Sequence, residues 1–201
     1  MATSLLAGTA KTLLITSALA ATTLASAALP TQWQLDDSHT RVGFEVEHLG
    51  FSTTMGRFDR VDGSLNYNIK APDKTQMQFT IETDSINTAW DARDKHLRTD
   101  DFFDVEKYPT MTFESTNVNF INPQQAKVMG DFTLLGKTMP LTLDVTLKKI
   151  ATSPVTKEPV IGFRATGNID RAAYGMTTFA DGITTNVPIQ IDGELIEKKA
   201  K

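Results

Sequence analysis

Leu141–Lys148 reads LTLDVTLK. Leu141, Leu143, Val145 and Leu147 alternate with Thr142, Asp144, Thr146 and Lys148, and a period of two is that of an extended strand with one apolar and one polar face. The same alternation recurs along the chain. Val42, Phe44 and Val46 interleave with Arg41, Glu45 and Glu47, and Leu65, Tyr67 and Ile69 with Ser64, Asn66 and Asn68. Met77, Phe79 and Ile81 share a face, as do Met111 and Phe113, then Ile161, Phe163 and Ala165, then Val187, Ile189 and Ile191. Between them lie turn formers: KAPDK at Lys70–Lys74, NPQQ at Asn122–Gln125, and TSPVTKEP at Thr152–Pro159. Proline fixes φ and withholds a backbone donor, so each of these stretches interrupts a ladder.

Alternation with a polar face predicts antiparallel sheet wet on one side. About eight such strands in one domain must bury their apolar faces on each other, as a two-sheet sandwich or as a closed barrel. Periodicity does not separate the two.

The first residues read differently. Lys11 is the only charge in a run that continues TLLITSALAATTLASAALP and ends on the small residues Ala25-Ser26-Ala27, the pattern of an export signal cut after Ala27 or Ala28. A transmembrane span would need about 20 strongly apolar residues, and Thr and Ser dilute this one. The expectation is therefore a signal peptide over 1–27, one exported domain over 28–201, and no transmembrane anchor. Without cysteine, the chain has no disulfide, thiolate metal site, cysteine nucleophile or lipidated cysteine. The 20 basic and 24 acidic residues are mixed along the chain, an argument against nucleic acid as partner.

One segment departs from the strand pattern. From Ser85 to Phe103, Ile86, Trp90, Arg93 and Leu97 recur at roughly helical spacing, with Asn87, Thr88 and Asp91 as candidate N-cap or first-turn residues. A second short helix is expected to start at Thr99, with Asp100 and Asp101 in its first turn. Within the charged run RDKHLRTDDFFDVEKYP (Arg93–Pro109) stand Phe102 and Phe103, and such a pair is most simply anchored in the barrel.

Four stretches carry a family resemblance: DDSHTRVGFEVEHLGFSTTMGRFDRVDGSL (36–65), INTAWDARDKHLRTDDFFDVEKYPTMTFES (86–115), VMGDFTLLGKTMPLTLDV (128–145) and IDRAAYGM (169–176). In this order, from about Trp33 to Glu194, the chain resembles the YceI-like, polyisoprenoid-binding proteins. The resemblance implies an all-β fold, an extended lipocalin-like antiparallel β-barrel of about eight strands with a helical excursion over about 85–103. It further implies an apolar interior holding an isoprenoid or other lipid-like amphiphile, and a periplasmic location. A homodimer is left open.

For such an interior, the expected lining is Phe44, Val46, Phe58, Phe79, Ile81, Phe113, Phe132, Phe163 and Ile189 from strands, with Leu97, Phe102 and Phe103 from the excursion. Eleven of the aromatics are Phe, against two Trp and three Tyr, and Phe has no polar atom to satisfy inside a tunnel. His48 shares the parity of Phe44 and Val46 and is expected to face inward. Arg93, His96, Arg98, Arg171 and Tyr174 are candidates for a polar collar around a phosphate or quinone head group; the plainer expectation is salt bridges to Asp91, Asp94, Asp100, Asp101 and Asp170.

His39, His48 and His96 show no metal-ligand spacing, so neither a metal nor another cofactor is expected. Sequence adjacency of Ser38 and His39 is not expected to set hydroxyl against ring nitrogen. Two other readings stay beside the carrier: an enzyme acting on such a lipid through His48, His96 or Asp91, and a filled structural or partner-binding barrel.

Overall fold

The computed structural model describes residues 32–67 and 74–198. The expected leader over 1–27 and most of the Lys70–Lys74 turn lie outside them.

Ten strands form one antiparallel sheet: β1 (Gln32–His48), β2 (Ser52–Phe58), β3 (Val61–Asn66), β4 (Gln76–Glu82), β5 (Ile86–Asn87), β6 (Thr110–Asn122), β7 (Gln125–Leu134), β8 (Lys137–Thr152), β9 (Pro159–Asp170) and β10 (Asn186–Glu197). A single helix, α1 (Asp91–Leu97), interrupts the series among the described residues. The sheet closes because β1 is shared. One edge of β1 pairs with β10 from Trp33 to Phe44, while the other takes β3 at Gln32–Gln34 and β2 at Val42–His48. Running β1-β10-β9-β8-β7-β6-β4-β3 and back, eight strands make a closed barrel, which settles the choice between sandwich and barrel. Closure joins the two ends of the eight-strand run and leaves β2 and β5 as the short remaining edge.

A register shift between Asp36 and Arg41 marks a bulge in β1. Buried Thr40 secures it: its hydroxyl donates to the Asp36 carbonyl at 2.7 Å and accepts from the Glu194 amide at 3.4 Å. A bulge increases local bend and twist, letting one strand serve two neighbours in succession.

Most strands follow the alternation legible in the sequence; β2, β5 and β7 do not figure in it. In β7 the buried positions are Ala126, Val128, Gly130, Phe132 and Leu134, where alanine and glycine weaken the apolar signal.

The excursion is longer than expected, from the 3-10 turn Thr83–Ser85 to Pro109, and it is tied to the barrel by backbone. Thr83 N–H donates to the Pro109 carbonyl at 2.9 Å, and β5 pairs with Arg57 and Phe58 of β2. Ile86, expected on the helix, is a fully buried strand residue. Trp90 occupies the N-cap of α1 without a side-chain cap; instead the buried Asp94 carboxylate accepts the Thr88 amide at 2.9 Å and the Thr88 hydroxyl. No second helix begins at Thr99. Its hydroxyl donates back to the His96 carbonyl at 2.8 Å, stopping α1 rather than starting a successor, and turns carry the chain through Phe102 and Phe103.

Apolar side chains fill one end of the barrel. Trp33, Val118, Ala126 and Ile161, all buried, lie near the start of β1, the end of β6, and the starts of β7 and β9, positions that meet at the same end. Ring contact between Tyr67 and Phe120, with centroids 6.5 Å apart, belongs to this plug.

Candidate functional site: a one-mouthed apolar cavity

Above the plug the barrel is hollow, with a cavity of about 470 Å3. Phe44, Val46, Phe58, Phe79, Ile81, Phe113, Phe132, Phe163 and Ile189 line it from the strands, and Leu97, Phe102 and Phe103 from the excursion. His48, Arg93, His96 and Arg171 also border it, whereas Tyr174 lies off the lining, its buried ring edge-on to Phe132 at 5.7 Å. Burial raises the Tyr174 phenol above its ordinary pKa.

Where the cavity opens follows from exposure. Its exposed lining residues are His48, Ser52, Trp90, His96 and Phe179, contributed by the β1–β2 hairpin, the excursion and the loop after β9. All are at the end opposite the plug. The two phenylalanines of the charged run have distinct jobs there. Phe103 meets Phe58 of the wall edge-to-face at 5.4 Å, and Phe102 packs against His96 and Phe179 at 5.1 and 6.4 Å, joining the excursion to the β9–β10 loop.

Glycines help keep the lumen open. Gly56 is paired with Phe44, Gly63 with Phe79 and Gly193 with Phe163. At Gly63 a Cβ would lie 2.2 Å from Phe79 Cδ1, and at Gly56 2.2 Å from Phe44 Cζ. Each ring thus lies across bare backbone and reaches less far toward the axis than it would over a side chain.

The arginines satisfy neither expectation cleanly. Arg171 donates from Nε to the Thr184 carbonyl at 3.0 Å, from Nη1 to the Met176 and Thr178 carbonyls at 2.7 and 3.0 Å, and from Nη2 to the Ile183 carbonyl at 2.9 Å. Buried and bound by carbonyls, it staples the β9–β10 loop; desolvation lowers its pKa although Asp170 opposes the shift. Arg98 donates to the Asp84 and Ile86 carbonyls, and Arg93 to Thr88, with its guanidinium 5.4 Å above the Trp90 ring. Of the expected acid partners, Asp101 takes up His96 at 2.9 Å. No Asp or Glu lines the cavity among the described residues; the basic groups bordering it are the guanidinium groups of Arg93 and Arg171 and the imidazoles of His48 and His96.

Ser52 and Thr54 face inward opposite His48 and Val46. They escaped the sequence reading because β2 shows no apolar alternation, and Phe179 and Ile183 escaped it because an irregular loop has no period. Leu143, Val145 and Leu147, by contrast, line the cavity on the parity already visible in LTLDVTLK.

Outside the cavity, Asp36, His39 and Glu194 bring potential ligand atoms within 4.8 Å of one another. His39 Nδ1 is engaged by Asp36 Oδ2 at 2.8 Å, the geometry of an ion pair. Contrary to expectation, the Ser38 hydroxyl does reach a ring nitrogen, His39 Nδ1 at 3.1 Å. It is the same nitrogen that Asp36 holds, so the relay of a catalytic triad, which needs both nitrogens, is not formed.

A closed, hollow, one-mouthed antiparallel barrel with a helical strap across its opening is a lipocalin-like barrel. The chain belongs to the YceI-like family, whose domain profile matches residues 33–195. A UPF0312 protein of Serratia proteamaculans is 35% identical over 191 residues, covering 94% of this chain and 98% of that protein. Another from Pseudomonas aeruginosa is 40% identical over 125 residues, 61% of this chain, and the match spans 65% of that relative's length. In fold, the chain is similar to a polyisoprenoid binding domain from Saccharophagus degradans implicated in plant cell wall breakdown, with a TM-score of 0.63, 17% identity, and coverage of 80% or more on both sides (85% of this chain, 100% of that one).

Proposed function

We propose that this protein is a periplasmic carrier that holds a single-tailed lipid-like amphiphile, of polyprenyl quinone or polyprenyl phosphate type, with the tail in the barrel and the head group at the mouth. The observation that carries the reading is the hollow interior: a filled structural barrel would have side chains meeting across the axis where the cavity stands. Its lining is almost wholly hydrocarbon and aromatic, and each buried methylene contributes about 0.8 kcal/mol, so shape alone can hold a tail. The head group would meet His48, Ser52, Thr54 and the guanidinium of Arg93 with no carboxylate among the lining residues described, a setting suited to a phosphate or quinone oxygen. A polyisoprenoid-binding relative of similar fold favours the same class of cargo. Binding is favoured over catalysis because Asp91 lies on the exposed face of α1 and off the cavity, while His96 is paired with Asp101. Export rests on the leader-like residues 1–27.

Native mass spectrometry of protein purified gently from its host, followed by solvent extraction, tests the carrier directly. A bound lipid is expected; an empty barrel that also refuses a panel of isoprenoid quinones and phosphates would overturn the reading. Phe103→Asp should cut lipid retention and lower stability, because it sets an unpaired carboxylate against Phe58. Unchanged lipid content in that variant would remove the excursion from the cavity wall.

A further inference from the structure

We propose that the mouth end of the barrel docks on a lipid bilayer, with Leu49, Phe51, Trp90 and Phe179 entering the interface so that the opening faces hydrocarbon. This rests on the carrier reading for its purpose, but its physical case is separate.

Isolated exposed apolar residues are ordinary, and Ile121, Ile150 and Val155 at the plugged end are such a set, lining no cavity. At the mouth the arrangement differs. Phe51 is 88% exposed, Trp90 61%, Phe179 59% and Leu49 57%. They come from three segments that are bonded to one another. Leu49 N–H donates to the Gly182 carbonyl at 2.8 Å, Ile183 N–H to the Phe179 carbonyl at 2.8 Å, and the Phe179 ring lies 6.3 Å from His96 of α1, the helix that Trp90 caps. Trp90 and Phe179 are at once exposed and part of the lining, so each reaches from the lumen to the exterior.

Backbone conformation points the same way. Leu49 and Phe179 have φ of 54° and 56°, a region that asparagine and glycine occupy readily and large apolar residues seldom do. Leu49 lies against Gly182 and Phe179 against Phe102 and His96, yet more than half of each side chain still faces water, apolar surface that a smaller turn residue would not expose.

The chemistry of the surface selects the occupant. A tryptophan stacked with an arginine, at the same end of the barrel as exposed Phe and Leu, has the composition of membrane-interface anchors. The charges around the rim are of both signs: Glu45 and Glu47 on the hairpin, Asp91, Arg93 and Lys95 on α1, Asp181 on the loop. With no basic cluster, attachment should come from apolar burial, and a zwitterionic bilayer should suffice.

The test is cosedimentation of the purified protein with sucrose-loaded phosphatidylcholine vesicles at low and high salt. Wild type is expected to bind with little salt dependence, and Trp90 emission to shift to the blue, since Trp33 is already fully buried. Leu49→Asn combined with Phe51→Ser should weaken partitioning at least tenfold; asparagine suits the turn, and neither position lines the cavity. Val155→Ser, which removes an exposed apolar side chain at the far end, should change nothing. Wild type left in the supernatant, or a double variant that binds as well as wild type, would overturn the proposal, as would a reversible dimer abolished by the double variant with no vesicle binding, which would make a second copy the occupant. Lipid content by native mass spectrometry separates the two ideas: lipid present without vesicle binding sinks docking alone, and vesicle binding by an empty barrel sinks the carrier alone.

Discussion

At Gly130 a Cβ would stand 2.4 Å from Phe113 Cζ and 2.5 Å from the Glu114 carbonyl oxygen, and the second of these atoms is backbone that does not turn aside. Gly130→Val is therefore expected to cost about 1–3 kcal/mol and to displace the Phe113 ring from the lumen wall. At Gly43 the nearest atom to such a Cβ is 3.5 Å away, so Gly43→Ala should be neutral or stabilise by about 0.4–1 kcal/mol. Urea unfolding of the two variants distinguishes a glycine needed for close approach from one that merely occupies a strand. The pair Asp36–His39 gives a pH dependence. Burial works against ionisation of Asp36, but hydrogen bonds from Ser38 and His39 outweigh it and hold the carboxyl below its ordinary 3.8. The hydrogen bond and charge of Asp36, with the charge of Glu194, raise His39 above 6.5. The imidazolium contribution is full below pH 6.5 and fades as pH rises through the raised value; the carboxylate contribution is full above pH 3.8 and is lost as pH falls through the lowered one. NMR titration should place His39 above 6.5 and return it toward that value in Asp36→Asn.

Among the elements, the β9–β10 loop owes its shape to one side chain. Arg171 gives four hydrogen bonds to carbonyls of that loop from a buried position, so Arg171→Ala should cost about 3 kcal/mol or more and speed amide exchange over Met176–Thr184. Arg171→Lys should recover little, because an ammonium cannot reproduce the planar fork. This role was not legible in IDRAAYGM, where the arginine stood as a collar candidate beside five possible acids. What the sequence did display was the strands whose bulky inward residues alternate without interruption, such as those carrying Phe44 and Ile189. Strand β7 was hidden because Gly130 leaves its inward place to a ring from β6, and the second helix was misread because a threonine hydroxyl can face backward to His96 as readily as forward. Phe102 and Phe103 do lie against the barrel, since two large apolar groups in a charged run have no other stable place.

For the molecule as a whole, the eight-strand closure carries stability and the unfilled lumen is where the proposed cargo would sit, and the two are in tension because the lining lacks contacts that a packed core would have. Occupancy should relieve this. A lipid that binds only the folded state, present at 100 times its dissociation constant, adds about 2.7 kcal/mol. For a domain of this size that raises Tm by roughly 5–11 °C, so extracted protein should melt earlier than protein as purified, and readdition of lipid should restore the difference. Equal melting temperatures before and after extraction would mean that nothing had occupied the lumen. None of the helices among the described residues is long and apolar enough to cross a membrane.

The plug around Trp33 makes the barrel a scabbard rather than a pipe. A tail goes in tip first and comes out tip last, past the same rim through which the displaced water must leave. A guest longer than the blade-room trails its surplus outside, and the depth from rim to plug becomes a ruler for chain length. If the barrel is the carrier proposed above, handover to another protein would happen face to face, since the described residues leave no opening at the Trp33 end.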